Sequence, residues 1–279
     1  MTHREDAAMT QRGEAAGAPA VRSHAAPAVR SQAAPAVRRV LAQASFEARA
    51  ILRNGEQLLL SLILPVIVLF GLSLTGVLEA IGTPVDADSR IAVATAGVLG
   101  LALASTAFTG QAIATGFDRR YGVLRQLATT PLGTTGLLWG KLIAVVVVVA
   151  VQFAVIGTLA ALLGFAAPVA FGALAATAVL GTAVMLTWGL LMAGTLRAEA
   201  TLALANLVWV LMASVGGILF AHAGLWGAIL AWTPFGALGN GMRAAVVAGS
   251  WDPFALLVMA AWTVLGVLLA RRWFDFDGK

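Results

Sequence analysis

Few residues of this chain have side chains that could catalyse a reaction or hold a metal ion. The 279 residues include no cysteine and only three histidines, His3, His24 and His222, which lie far apart along the sequence. A catalytic metal site usually takes three protein ligands, so these histidines predict no metal site. The sequence also contains no HExxH or GxSxG motif and no paired carboxylates in its apolar stretches. We therefore expect a non-catalytic protein.

One dipeptide, Gly140-Lys141, resembles the end of a phosphate-binding loop. That motif requires a glycine at position 135 and a serine or threonine at position 142, where this chain has Thr135 and Leu142. We therefore expect that no nucleotide binds here and that the chain holds no cofactor. If the protein moves a substrate uphill, the energy must come from another chain.

The composition excludes an ordinary soluble globule. Hydrophobic residues make up 60% of the chain and charged residues 11%, against about 25% charged in average soluble proteins. Residues 1–57 hold 13 of the 31 charged residues, which leaves 18 for the other 222 positions. The basic residues flank apolar stretches and do not form a patch with aromatic stacking residues, so a nucleic-acid partner is not expected.

Six apolar segments are predicted to cross a membrane, since most approach the ~20 residues needed. None contains Asp, Glu, Lys or Arg, and together they span the predicted permease domain, residues 58–272. If all six cross, 16 Lys and Arg residues lie on the side of the termini and two, Arg90 and Arg243, lie on the other, which predicts cytoplasmic termini. The six segments are 58–78, 91–116, 142–164, 169–195, 201–221 and 254–270.

The two ends of the chain differ in character from its middle. Residues 1–36 contain the imperfect repeat APAVRSHA, APAVRSQA, APAVRR, and this Ala/Pro/Arg tail is predicted to be disordered because it buries too little apolar area. Residues 37–57 have apolar residues at three- and four-residue intervals, which predicts an amphipathic helix at the membrane interface. Residues 273–279 are expected to form a short cytoplasmic tail.

Two connections are too long to be simple turns. In the cytoplasmic one, residues 117–140, Asp118 is a plausible N-cap and Pro131 a stop, which predicts a short helix lying on the membrane surface. The external one, 222–253, contains apolar stretches too short to cross, divided by Thr233-Pro234 and a glycine cluster. It predicts re-entrant or interfacial segments, with a brief helix from Met242 to Val247. A plain interface helix for the first and a structural lid for the second are equally compatible.

Three amide side chains, Gln111, Gln152 and Asn206, lie within the predicted spans. An unpaired amide in hydrocarbon is costly, so each needs a partner or a cavity. Hydrogen bonds between helices are favoured over substrate contacts. The absence of charge within the spans disfavours transport driven by a proton or ion gradient.

Three stretches resemble the permease subunits of type-2 ABC exporters, in particular actinobacterial drug-resistance and polyketide-export permeases. They are FEARAILRNGEQLLLSLILPVIVLFGL, FDRRYGVLRQLATTPLGTTGLLWGKL and TPFGALGNGMRAAVVAG. The resemblance covers about residues 40–272 and lies in the order and spacing of the stretches, since none is an invariant catalytic signature. The repetitive tail departs from the family pattern.

The resemblance implies a half-transporter in a bacterial cell membrane that moves a hydrophobic or amphiphilic substrate outward. It implies an all-α fold with six transmembrane helices, an N-terminal elbow helix, a cytoplasmic coupling helix and external re-entrant segments. It also implies three partners: a second permease subunit, expected to be an identical copy, an ATPase dimer that binds ATP and Mg, and the lipid bilayer. The residues expected to contact the ATPase are Asp118, Arg119, Arg120, Tyr121, Leu124, Arg125 and Leu127.

Substrate would then pass at the subunit interface, along the second and fifth spans, where Phe108, Gln111, Asn206 and Trp209 are candidate lining residues. An alternative function is a membrane scaffold or assembly factor, which would use the same cytoplasmic loop to recruit a soluble protein without moving cargo.

Overall fold

Helices account for the regular structure throughout the described part of the chain. The computed structural model describes residues 34–55, 59–80, 87–128 and 130–273, and no strand occurs in these ranges. The helices are α1 (Ala36–Arg53), α2 (Leu64–Leu74), α3 (Val77–Ala80), α4 (Ala87–Ala104), α5 (Gln111–Arg120), α6 (Val123–Ala128), α7 (Gly133–Leu162), α8 (Phe171–Thr195), α9 (Ala198–Ser214), α10 (Gly224–Ala231), α11 (Pro234–Val246) and α12 (Pro253–Trp273).

Two of the described helical segments are π-helices and not α-helices. Leu59–Ile63 leads into α2, and Ser105–Gly110 joins α4 to α5, so that one continuous helical rod runs from Ala87 to Arg120. Insertions of this kind widen a helix locally and shift the faces that its residues present.

Four helices within the described ranges are long and apolar enough to cross a membrane, which indicates a membrane-embedded protein. They are Ser89–Arg120, Thr135–Leu162, Phe171–Thr195 and Pro253–Trp273. Two further apolar helices, Ser61–Leu74 and Ala198–Ser214, are shorter than this. The predicted second, third, fourth and sixth segments therefore correspond to full-length helices, whereas the first and fifth correspond to the shorter ones.

The fifth predicted segment was wrong at its end. It was expected to run to residue 221, but α9 ends at Ser214 and irregular backbone follows up to α10. The chain from Val215 to His222 is apolar, and apolar character alone does not distinguish a helix from a buried irregular segment.

Helix α1 covers positions 37–53 of the predicted amphipathic helix 37–57, whose place at a membrane interface stays a prediction. Helix α1 buries Ala44, Ala48 and Ile51, three of the apolar positions that the periodicity singles out, and packs along the first turns of α7. The disordered tail predicted for 1–36 falls almost wholly on residues outside the described ranges, and so do residues 274–279 of the predicted C-terminal tail.

Most of the described charged residues lie at one end of the helices, called here the basic end. It is formed by the end of α5, all of α6, the start of α7, the end of α8 and the start of α9. Helix α12 runs parallel to α8, because Gly172 lies beside Trp251 and Gly266 lies beside Trp188. Arg271 and Arg272 at the end of α12 therefore also lie at the basic end.

Helices α10 and α11 lie at the opposite end. The predicted brief helix from Met242 to Val247 was too short, since α11 begins at Pro234. The Thr233 side chain accepts a hydrogen bond from the Gly236 backbone N–H at 3.1 Å, and Pro234 occupies the first turn, where it is tolerated. Thr233-Pro234 was predicted to divide two short apolar stretches of the external connection. In the structure it forms the start of α11.

Arg243 joins α11 to the irregular segment after α9. Its Nη1 donates to the Ile218 carbonyl at 3.1 Å and its Nη2 to the Gly217 carbonyl at 2.8 Å and to Asn240 Oδ1 at 2.9 Å. Burial lowers the pKa of Arg243 to about 10, which leaves the guanidinium charged at neutral pH. One arginine thus supplies donors for carbonyls that no helix satisfies.

Gln152 connects three helical segments in the interior. Its Nε2 donates to the Ser61 carbonyl and to Thr106 Oγ1, each at 2.8 Å, and its Oε1 lies 3.1 Å from the same hydroxyl. Ser61 and Thr106 belong to the two π-helical segments. The interhelical hydrogen bond expected for this amide is therefore present. Asn206, by contrast, is exposed and donates at 3.0 Å to the Leu202 carbonyl of its own helix.

These contacts predict unequal effects of removing the two amides. Gln152→Leu should lower stability by about 1–2 kcal/mol, since it leaves Thr106 and the Ser61 carbonyl without their buried partner. Asn206→Leu, the matched control, should change stability by less than about 0.5 kcal/mol. Unfolding of the purified variants in detergent measures both, and equal losses would contradict the assigned roles.

Candidate functional site

The connection between α5 and α7 differs from the predicted single helix. Asp118 was expected to cap a helix that runs to Thr130, but α5 continues through Asp118 to Arg120 and α6 begins only at Val123. The break falls at Gly122, whose φ of +74° is a left-handed conformation that glycine adopts without steric cost. The N-cap assignment was therefore wrong, because residues favourable for a helix start also occur inside a helix.

The seven residues expected to contact an ATPase split into two groups. Tyr121 is 71% exposed, and Arg120 and Arg125 are also exposed. Leu124, in contrast, is 1% exposed and Arg119 is 9% exposed, so both are buried within this chain. Asp118 and Leu127 are half-buried. The expectation that Leu124 fills a groove on another protein is wrong for this conformation, since Leu124 holds α6 against its own chain.

Two adjacent arginines attach the end of α5 to the neighbouring helices. Arg119 Nη1 donates to the carbonyls of Ala193 and Leu196, at 3.1 and 3.0 Å, at the C-terminus of α8. A cation is favourable there because the helix dipole is negative at that end. Arg120 pairs with Glu199 in the first turn of α9. Arg119 therefore positions the connection and is not a free rim charge, contrary to expectation.

A buried ion pair attaches α7 to α1. Lys141 is 2% exposed, and its Nζ lies 2.9 Å from Glu47 Oε1. The same oxygen accepts a hydrogen bond from Gln43 Nε2 at 3.0 Å. The basic end thus contains an ion pair between a lysine of α7 and a carboxylate of α1.

Close approach of the two helices makes this ion pair possible. A Cβ at Gly140 would lie 2.7 Å from Gln43 Cγ, so glycine is the residue that allows α1 to pack here. Arg39 Nη1, one turn earlier on α1, donates to the Pro131 carbonyl just before α7. The dipeptide that resembled a phosphate-binding loop therefore serves as a helix contact and the anchor of an ion pair.

The candidate path residues do not share one exposed surface of the single chain. Phe108 is 4% and Gln111 1% exposed, whereas Asn206 is exposed and Trp209 is half-buried. Gln111 Oε1 and Trp209 Nε1 are buried atoms without a hydrogen-bond partner among the described residues. The helices that carry Gln111 and Trp209, α5 and α9, pack together, since a Cβ added at Gly116 would lie 3.5 Å from Thr201.

Sequence reasoning missed Glu47, Gln43 and Lys141 as members of the site. Glu47 falls within the predicted amphipathic helix 37–57, and nothing in that pattern indicates that it pairs with a residue of α7. The available signal was Lys141 itself, the only lysine in residues 1–278, at the edge of an apolar run where a buried charge requires a partner.

The arrangement can transmit displacement. Helix α6 is six residues long and is held by two long helices, one at each end, while Leu124 and the arginine contacts limit its independent movement. A force applied to the exposed Tyr121 and Arg125 would therefore act on α5 and α7 together, and through Lys141 on α1.

The ion pair predicts non-additive effects on stability. Lys141→Met and Glu47→Leu should each cost about 3 kcal/mol, because each leaves the other charge buried without its main partner. The double variant should recover much of that loss. Thermal unfolding of the four proteins in detergent forms a double-mutant cycle. Single effects that simply add would show that the two side chains do not interact energetically.

Comparison of the chain with protein-family models and with curated protein sequences finds no match.

Proposed function

We propose that this chain is the permease subunit of an ATP-driven exporter, in which six spanning helices carry a hydrophobic or amphiphilic substrate outward and a separate ATPase supplies the energy. The observation that carries the proposal is the short helix α6, which is tied at both ends to long apolar helices. It exposes Arg125, and Tyr121 is exposed in the turn just before it. The resemblance of residues 117–142 to the cytoplasmic loop of type-2 ABC permeases supports it.

Charge placement supports six crossings with the basic end in the cytoplasm. Only Arg90 and Arg243 fall on the opposite side, and internal partners hold both. Arg90 Nε donates to Glu79 Oε1 at 2.7 Å, and Arg243 donates to three oxygens of its own chain. The unengaged positive charge that sets orientation therefore belongs to the basic end. In this reading α2 and α9 are the first and fifth crossings, and α10 and α11 are re-entrant segments.

Exposed tryptophans support the same placement. Trp139 and Trp273 are 56% and 55% exposed at the basic end, and Trp226, Trp232 and Trp251 are 50% to 66% exposed at the opposite end. Tryptophan is enriched at both membrane–water interfaces, where its indole N–H can reach water. Two groups of exposed tryptophans at the two ends of apolar helices fit a bilayer between them.

The mechanism follows from the contacts at the basic end. Closure of an ATPase dimer that binds Tyr121 and Arg125 would displace α6. The bonds of Arg119 and Arg120 would transmit this displacement to α8 and α9. The Lys141–Glu47 pair would carry it to α1, which acts as the elbow helix. A second copy of the chain would complete the path, because Asn206, which bonds within its own helix, and several leucines of α9 are exposed in the single chain.

The proposal predicts that coupling to the ATPase needs the exposed residues of α6 and of the turn before it. Tyr121→Ala combined with Arg125→Glu should lower substrate-stimulated ATP hydrolysis at least tenfold, since it removes about two rim contacts of the kind that set register. Membrane insertion and the unfolding temperature should stay unchanged. The assay uses the chain with the ATPase that co-purifies with it.

Arg272→Glu is the matched control, since it reverses an exposed charge at the same end on α12. Loss of stimulation in the control as well would show a general charge effect. Unaltered hydrolysis and transport in the Tyr121/Arg125 variant would remove α6 from the mechanism. Recruitment of a soluble protein without transport would favour the scaffold function.

A further inference from the structure

The face of α1 that points away from its buried residues carries three exposed arginines. Arg38, Arg49 and Arg53 are exposed and fall within about 60° of one another around a helix with 3.6 residues per turn. The buried Ala44, Ala48 and Ile51 lie on the other side, against the rest of the bundle. We propose that this arginine face is a binding surface for anionic phospholipid headgroups.

The positive charge of this face has no counterion within the described residues. The salt bridges there do not include Arg38, Arg49 or Arg53. Glu47, the one acidic residue between Ala36 and Arg53, is already paired with the buried Lys141. A face with three cations and no acidic partner among the described residues attracts phosphate groups through charge-assisted, often bidentate hydrogen bonds.

Large apolar side chains border the arginines on both sides. Leu41 is 53% and Leu52 37% exposed on one side of the stripe, and Phe46 is 68% exposed on the other. Arginine between exposed leucine and phenylalanine is typical of helices that sit at the headgroup boundary, where apolar side chains enter the acyl region. On a helix surrounded only by water, exposed Leu41, Leu52 and Phe46 would bury no apolar surface and so would not contribute to stability.

The position of the face selects lipid as its occupant over an acidic protein. The chain continues from α1 into Leu59, Ile63 and Ile67, which are 51% to 64% exposed and face away from the bundle. On α7, beside α1, Val147 and Val151 are also exposed. The arginines therefore lie where an apolar outer surface begins, which in a membrane protein is the level of the headgroups.

Lipid titration of the full chain tests this proposal. The purified protein in detergent is titrated with phosphatidylglycerol or phosphatidylcholine, and bound lipids are counted by native mass spectrometry. We expect tighter binding of phosphatidylglycerol, and a loss of about fivefold for each arginine changed to glutamine. The combined change R38Q/R49Q/R53Q should abolish the preference, and raised salt should weaken it in the unchanged protein.

The matched control, R197Q/R271Q/R272Q, removes the same charge from exposed positions elsewhere at the basic end and should keep the preference. Arg→Lys at the three α1 positions should retain most of it, which separates charge from folding. Equal binding of both lipids by the unchanged protein, or equal loss in the control, would overturn the proposal. Retained lipid preference with lost co-purification of an ATPase in the α1 variant would assign the face to a protein. None of these outcomes depends on transport.

Discussion

The constraint on which this structure depends is the satisfaction of backbone polar groups in an apolar environment. In hydrocarbon each unpaired N–H or C=O costs several kcal/mol, so helices, which pair these groups within one segment, are the form available to an apolar chain. The described ranges follow this constraint closely. Where a helix stops inside the bundle, as α9 does at Ser214, Arg243 supplies donors to the exposed carbonyls.

Charged groups are also costly in hydrocarbon, so they lie towards the ends of the helices. At one end they form bonds that tie several helices together. Lys141 with Glu47, Arg119 with the carbonyls that end α8, and Arg120 with Glu199 all lie within the basic end. Each bond joins helices far apart in sequence, so the connection 117–140 is fixed to its neighbours. At the opposite end the contacts instead hold short helices and irregular backbone in place.

Composition and hydropathy predict the helical class and most of the long helices, because these depend on local sequence. The predicted segment 169–195 nearly matches α8, and 142–164 covers most of α7, which begins nine residues earlier, at Gly133. The predictions that were wrong concern features that depend on contacts between residues far apart in the sequence. The sequence predicts a helix start at Asp118, but the helical rod that begins at Ala87 continues through this residue. It also predicts that Leu124 contacts another protein, but Leu124 is buried within its own chain. Glu47 and Lys141 are 94 positions apart in the sequence, and only packing at Gly140 brings them together.

The central claim is that α6 lies on the cytoplasmic side of a membrane-embedded bundle and α10 on the outside. The chain has no cysteine, so single cysteines at Tyr121 and Trp226, both well exposed, can be labelled in intact cells with a membrane-impermeant maleimide. The account predicts labelling at position 226 in intact cells and at position 121 only after permeabilisation. Labelling at position 121 in intact cells would contradict it.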